Sequence, residues 1–175
     1  MKRIVLTGPE SSGKTTLAQY LAHAFDTLWV PEYARTYLRM KQGRYELQDL
    51  VNIAIGQVAL LESAEITASD KPCIFLDTWM LEIAIWAEYR FGTVPDIIPQ
   101  ILGTHPPDLY VLCSPDLAWE PDLLRENPHD RDQLYGRYRS AVLENGIPYV
   151  SVSGTGPDRE HVTRDKIMAF ITKKS

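Results

Sequence analysis

Excess positive charge, cysteine and long apolar runs are all scarce in this chain of 175 residues. Its 18 lysines and arginines are outnumbered by 23 aspartates and glutamates, leaving a net charge of −5. A general nucleic-acid binder needs a basic face to displace counterions, so that partner class is not expected. The two cysteines, Cys73 and Cys113, each sit inside an apolar strand-like run. They read as buried free thiols rather than as a disulfide or redox pair. The four histidines show no metal-ligand spacing. Met1-Lys2-Arg3 before Ile4-Val5-Leu6 has the outline of a signal peptide, but the apolar run stops at Thr7-Gly8. No stretch reads as a membrane span, which leads us to expect a cytoplasmic protein with no membrane partner. Internal repeats and low-complexity segments are also missing.

What is present is ordinary in bulk and specific in one place. A hydrophobic content of 45% and a charged content of 23% suit a globular chain. The length suits one domain, residues 1–175, large enough to bury about 70% of its unfolded surface. Near the start stands Gly8-Pro9-Glu10-Ser11-Ser12-Gly13-Lys14-Thr15, which fits G-x-x-x-x-G-K-[ST] without mismatch. Ile4-Val5-Leu6-Thr7 before it reads as a buried strand, and Leu17, Leu21, Ala24 and Phe25 after it recur at helical spacing. Strand, glycine loop and helix N-terminus together surround phosphate oxygens with backbone N–H groups. Glu10, Ser11, Ser12, Thr16 and both glycines should therefore contact a nucleoside triphosphate, Lys14 should reach its β- and γ-phosphates, and the Thr15 hydroxyl should ligate Mg²⁺.

The rest of the chain alternates apolar runs with helical patterns. Strands are expected at residues 28–30, 73–76, 109–113 and 149–152, and helices at 33–40, 46–69, 79–89, 97–102, 133–143 and from about 157 to 172. Five strands so spaced imply an α/β fold: a five-stranded parallel sheet with helices on both faces. Residues 115–131, rich in Pro, Asp, Glu and Arg, read as an excursion or short lid. Ligands of such sheets gather at the C-terminal ends of the strands, which places the glycine loop, Glu32, Asp77, Ser114 and Gly154 along one edge.

Asp77 closes an apolar strand, where a Walker B carboxylate would stand near the ion held by Thr15. It could equally accept a proton from a substrate hydroxyl, or only cap the next helix. Glu32 ends the second strand and could bind sugar hydroxyls or act as base; the plain alternative is a surface ion pair with Arg35. Arg125 and Arg131 could stabilise charge on a transferring phosphoryl group, or belong to a solvated loop. Trp29, Tyr33, Trp79, Trp86 and Trp119 could form a slot for a flat ring, with Trp29 and Trp79 nearer the edge and Trp86 reading as core. A GTPase would show D-x-x-G after the third strand and a guanine motif, but Asp77 is followed by Thr78-Trp79-Met80. A small-molecule kinase fits the size.

These stretches, with Trp29-Val30-Pro31-Glu32-Tyr33-Ala34-Arg35, the Gly56-Gln57 pair, Ile85-Trp86 through Tyr89, and Trp119-Glu120 to Arg131, follow a familiar order. The chain resembles the ribosylnicotinamide (nicotinamide riboside) kinase domain, an AAA-like P-loop kinase domain, of the bifunctional NAD-biosynthesis regulator family. The resemblance implies transfer of the ATP γ-phosphate to the 5′-hydroxyl of nicotinamide riboside. It implies that Lys14 and Thr15 hold ATP and Mg²⁺, and that Asp77 and Glu32 serve the metal or the riboside. The arginines of the excursion would close over the phosphates, and Gly154 to Arg159 would lie near the adenine. Tyr33, Arg35, Gln57 and Trp79 would then join Glu32 around the acceptor. Regulator members carry a helix-turn-helix and an adenylyltransferase domain ahead of the kinase, so neither activity is expected here. Relatives also place an Asp after the Asp-Thr pair and then a Thr-Lys pair, where this chain has Trp79 and Ile83-Ala84. Two other readings stay open: a kinase of another nucleoside or nucleoside monophosphate, and a non-catalytic ATP-binding regulatory module.

Overall fold

Five apolar runs form the five strands of one parallel sheet in the computed structural model, which describes residues 1–121 and 129–173. They are β1 (Lys2–Thr7), β2 (Trp29–Val30), β3 (Cys73–Asp77), β4 (Leu109–Cys113) and β5 (Tyr149–Val152), in the spatial order β2-β3-β1-β4-β5. The connecting helices are α1 (Lys14–Ala24), α2 (Tyr33–Met40), α3 (Leu47–Thr67), α4 (Met80–Phe91), α5 (Ile97–Thr104), α6 (Arg131–Glu144) and α7 (Gly156–Thr172).

The central strands are apolar throughout because both their faces are covered. On one face Ile4, Leu6, Phe75 and Val111 meet Leu17 and Leu21 of α1 and Ile167 of α7. On the other, Val5, Ile74, Leu76 and Tyr110 meet residues of α2 to α6, among them Leu38, Leu61, Met80, Ile98 and Val142. Cys73 and Cys113 are buried and free. Burial pushes the Cys73 thiol up to about 11, so it stays protonated near neutrality.

By length and composition α3 is apolar enough to cross a membrane. Its buried residues Leu50, Ile53, Ala54, Gln57 and Leu61 form one stripe at helical spacing, packed into the second core. Gly56 lies beside that stripe, where a Cβ would collide with the Tyr33 ring, so its missing side chain is a packing requirement.

Two expected boundaries shift. The helix expected from Trp79 begins at Met80, and the helix expected from Gln133 begins at Arg131, which removes Arg131 from the charged excursion. Arg125 lies outside the described residues.

Register sets the working edge of the sheet. Leu6 pairs with Asp77 and Thr7 with Leu112, so β1, β3 and β4 finish level with one another beneath the glycine loop.

Candidate active site

The loop between β1 and α1 depends on two glycines. Gly8 has a φ of 134°, and a Cβ there would approach the Cys113 carbonyl oxygen at 2.5 Å, so the loop can lie directly on the end of β4. Gly13 has a φ of 73° and faces Leu117. Lys14 Nζ lines the cleft and donates to the carbonyls of Gly8 and Pro9, each at 2.8 Å.

One helical position on, Thr15 Oγ1 donates to Asp77 Oδ2 at 2.6 Å. Asp77 is 2% exposed, and its other oxygen is buried without a hydrogen-bond partner. Burial raises the Asp77 pKa, opposed by the Thr15 hydrogen bond and by the charges of Lys14 and Arg35. A hydroxyl beside an orphaned carboxylate oxygen is a donor set that suits a small hard cation, completed by water and phosphate oxygens. Among the described residues no cluster of three His, Cys, Asp or Glu forms a metal cage. Thr78, next in the chain, has a φ of 73°, a conformation costly for a β-branched residue and one often found at functional sites.

From the loop a cleft of about 470 Å³ runs between α2, α4 and α6. Its lining also includes Glu32, Arg35, Tyr45, Trp86, Tyr89 and Tyr138. Glu32 Oε2 and Arg35 Nε stand 3.6 Å apart, about a third exposed, so the ion pair remains open to the cleft. Trp86 donates its indole N–H to the Tyr45 hydroxyl at 3.0 Å, and the two rings meet edge to face with centroids 4.8 Å apart. Tyr138 has its pKa raised by burial, then by the charges of Glu82, Glu32 and Glu10.

Several residues stand elsewhere than expected. Trp79 is 1% exposed, packs in the core and donates its indole N–H to the His105 carbonyl at 3.1 Å; it does not line the cleft. Trp86, expected in the core, is the tryptophan that does. Gln57 is buried behind β2, accepting from Tyr33 N at 2.8 Å and donating to Pro31 O at 3.1 Å. It therefore fixes the turn carrying Glu32, while Tyr33 packs over Gly56; neither lines the cleft. Arg131, expected to close over the phosphates, instead donates to the carbonyls of Ser11 at 3.1 Å and Pro115 at 3.0 Å. Arg159, 6% exposed, donates to Ser12 O at 2.6 Å and Gly154 O at 3.3 Å, and Gly154 N donates to Asp116 Oδ2 at 2.7 Å. Arg159 is thus tied to the loop through Ser12, and neither it nor Gly154 lines the cleft. The near arm of the excursion also touches the loop: Trp119 donates to Glu10 Oε1 and Glu120 N donates to Ser11 Oγ, each at 3.2 Å.

Glu82 was not singled out in the sequence. On the first turn of α4 it accepts from Trp79 N at 2.9 Å through Oε2, while Oε1 is buried without a partner. The Thr7 hydroxyl lies alongside without completing a hydrogen bond. Burial pushes the Glu82 carboxyl up to about 7, against the lowering influence of Thr7, the Trp79 amide and Lys14. A signal for it exists: Glu82, Ile85, Trp86 and Tyr89 lie on one stripe of α4 at spacings of three and four, and all four line the cleft.

A family model described as an AAA domain matches residues 3–159. The trifunctional NAD biosynthesis/regulator proteins NadR of Salmonella typhimurium and Escherichia coli are each 27% identical over 158 residues, covering 87% of this chain. The chain spans 38% of the length of these curated relatives. Among solved structures, NadR protein in complex with NR superposes with a TM-score of 0.78 at 19% identity, over 99% of this chain and 50% of that one. NadR protein with NAD and AMP-PNP gives a TM-score of 0.74 at the same identity and coverage. A deoxyadenosine kinase from M. mycoides gives 0.63 at 13% identity, over 95% of this chain and 99% of its own. These structural likenesses are likenesses of fold.

Proposed function

The chain belongs to the AAA domain family, and on that premise we propose that it is a Mg-ATP-dependent nucleoside kinase whose favoured acceptor is nicotinamide riboside. The observation carrying this reading is one cleft lined by two differently equipped groups of residues. The loop, Lys14 and the Thr15–Asp77 pair form one group, and the Glu32–Arg35 pair with Tyr45 and Trp86 forms the other. The NAD-related names of the sequence relatives and the NR-bound structure of similar fold support nicotinamide riboside among nucleosides.

In this mechanism the loop amides and Lys14 bind the β- and γ-phosphates, and Thr15 with Asp77 would hold Mg²⁺. When bound, the ion neutralises charge on the phosphate oxygens. With Asp77 serving the ion beside Thr15, Glu32 receives the proton of the acceptor hydroxyl in this reading as its oxygen bonds to Pγ and the bond from Pγ to the β–γ bridging oxygen breaks, leaving ADP. Arg35, 3.6 Å from Glu32, places a positive charge beside that carboxylate. The flat base lies against the aromatic wall, where ring faces favour stacking. Trp79 and Ile83, two places where this chain departs from the resembled family, are buried in the core, and Ala84 does not line the cleft.

The test is ADP release from Mg-ATP across nicotinamide riboside, ribonucleosides, deoxynucleosides and nucleoside monophosphates. Turnover with nicotinamide riboside alone supports the reading. Preference for a deoxynucleoside would favour the second reading, to which the deoxyadenosine kinase likeness points. ATP binding without turnover on any acceptor would refute a kinase and leave a regulatory module.

A further inference from the structure

A phosphate-binding loop must turn its amide N–H groups toward the anion, so something has to set the orientation of each peptide. In a trans peptide the carbonyl of one residue and the N–H of the next point opposite ways. The partner of each loop carbonyl therefore reveals where the following amide is aimed.

At the start of the loop the carbonyls of Gly8 and Pro9 both accept from Lys14 Nζ on the cleft side. Proline 9 has no N–H, and the Glu10 amide is turned away from Lys14. The chain then passes through Ser11 with a φ of 53°, and the pattern reverses. The Ser11 carbonyl accepts from Arg131 Nη2 at 3.1 Å, and the Ser12 carbonyl from Arg159 Nη2 at 2.6 Å. Neither arginine lines the cleft. Arg159 arrives from α7 and is 6% exposed; Arg131 arrives from the first residue of α6. Each is anchored a second time, Arg131 on the Pro115 carbonyl and Arg159 on the Gly154 carbonyl.

We propose that Arg131 and Arg159 are positioning residues that hold the loop from behind, each aiming one amide at the phosphates. Arg131 acts through the Ser11 carbonyl on the Ser12 N–H, and Arg159 through the Ser12 carbonyl on the Gly13 N–H. Arginine suits the task because its planar fork stays charged and can hold two carbonyls at fixed angles. Its hydrogen bonds to carbonyls are also stronger than those of a neutral donor. Two positive charges behind the loop add to the field an anion meets on entering. The inference rests on reading this loop as a polyphosphate site and is independent of the acceptor.

Backbone amide NMR of the full chain, titrated with Mg-AMP-PNP, reads the two amides separately. In the wild type the Ser12 and Gly13 amides should move downfield while that of Glu10 stays in place. Arg159→Met should reduce the Gly13 displacement and spare Ser12, and Arg131→Met should do the reverse. Each variant should weaken Mg-AMP-PNP by about tenfold or more, with adenosine affinity unchanged. Arg159→Lys keeps the charge without the fork and should also reduce the Gly13 displacement. Equal loss of both displacements in one variant would make the arginines general supports and overturn the proposal, as would no loss in either. Should Arg159→Met fail to fold, Arg131→Met and the wild-type pattern decide the matter. A wild-type titration that moves Glu10 and leaves Ser12 and Gly13 in place ends the proposal. Failure of the wild type to bind Mg-AMP-PNP refutes the polyphosphate reading, and this inference with it.

Discussion

Replacing Glu82 with glutamine removes one buried carboxyl while leaving an amide oxygen to accept the Trp79 N–H. In the unfolded chain that carboxyl ionises near 4.5; in the fold, burial pushes it to about 7. Between those values the folded state binds more protons than the unfolded state, so this contribution falls as pH rises. It is fully present below 4.5 and lost once the pH passes about 7. The rise of about 2.5 pH units corresponds to about 3 kcal/mol. Asp26 and Asp49 are lowered, so their contributions have the opposite sign and vary at more acid pH, and the variant leaves them unchanged. Glutamine stays neutral and forgoes about 1 kcal/mol of charge-assisted hydrogen bonding at high pH. Urea unfolding followed by tryptophan fluorescence should therefore find the two proteins within about 1 kcal/mol at pH 5. At pH 8 the variant should be more stable by about 2 kcal/mol, with the same m-value. A difference that stays constant from pH 5 to pH 8 would show that Glu82 does not carry a buried charge through neutrality, and would refute the reasoning.

Lys14→Ala should cut turnover at least about a hundredfold at unchanged stability, measured by ADP release and thermal melting. Asp77→Asn keeps an oxygen for the Thr15 hydroxyl but loses the charge, so Mg²⁺ should be needed at higher concentration and kcat should fall; normal Mg²⁺ dependence would remove Asp77 from the ion site. Gly56→Ala should gain about 1 kcal/mol in helix propensity yet lose about 1–3 kcal/mol to the collision with Tyr33. Because Tyr33 adjoins Glu32, the acceptor KM should rise with ATP KM unchanged.

What could be read from the sequence was local. The glycine loop states its own geometry, and the carboxylate of Asp77 follows from a strand whose end is marked by the change from Leu76 to Asp77. The central strands were plain in the sequence because burial on both faces leaves no alternation to confuse, whereas the edge strand β5 is mostly unburied. Trp79 and Trp86 were exchanged for a physical reason. A strand-to-helix junction is expected to carry its side chains toward the sheet edge, but the left-handed turn at Thr78 sends the next residue inward to the His105 carbonyl. No local pattern encodes that φ, and the Thr78 amide is held by a partner far back in the chain, the Leu6 carbonyl at 3.2 Å. Arg131 was hidden differently. Its neighbours are charged and rich in proline, so it read as loop, whereas it opens α6 and is held by carbonyls more than a hundred residues earlier and fifteen or so before it. Glu82 escaped notice because it is the one acid among apolar residues on the first turn of α4, where a cap explains it without a site.

Helix α4 carries part of the cleft wall and part of the core at once. One side of α4 carries Ile83 and Ala87 into the core, below 6% exposure, and these hold the helix against the sheet. The opposite stripe carries Glu82 at the cleft floor, then Ile85 and Trp86, then Tyr89. Glu82 also accepts the Trp79 N–H at the start of the helix, and Ile85 and Trp86 pack against the core, so substitutions at these three disturb what fixes the helix as well as the cleft wall. The glycine loop is tied from several sides. Its carbonyls are tied to Lys14 within the loop and to Arg131 and Arg159 from two other helices, so a change in any one must be matched by α6, α7 or β4. The geometry of the loop is thus built into the tertiary structure rather than into the loop alone.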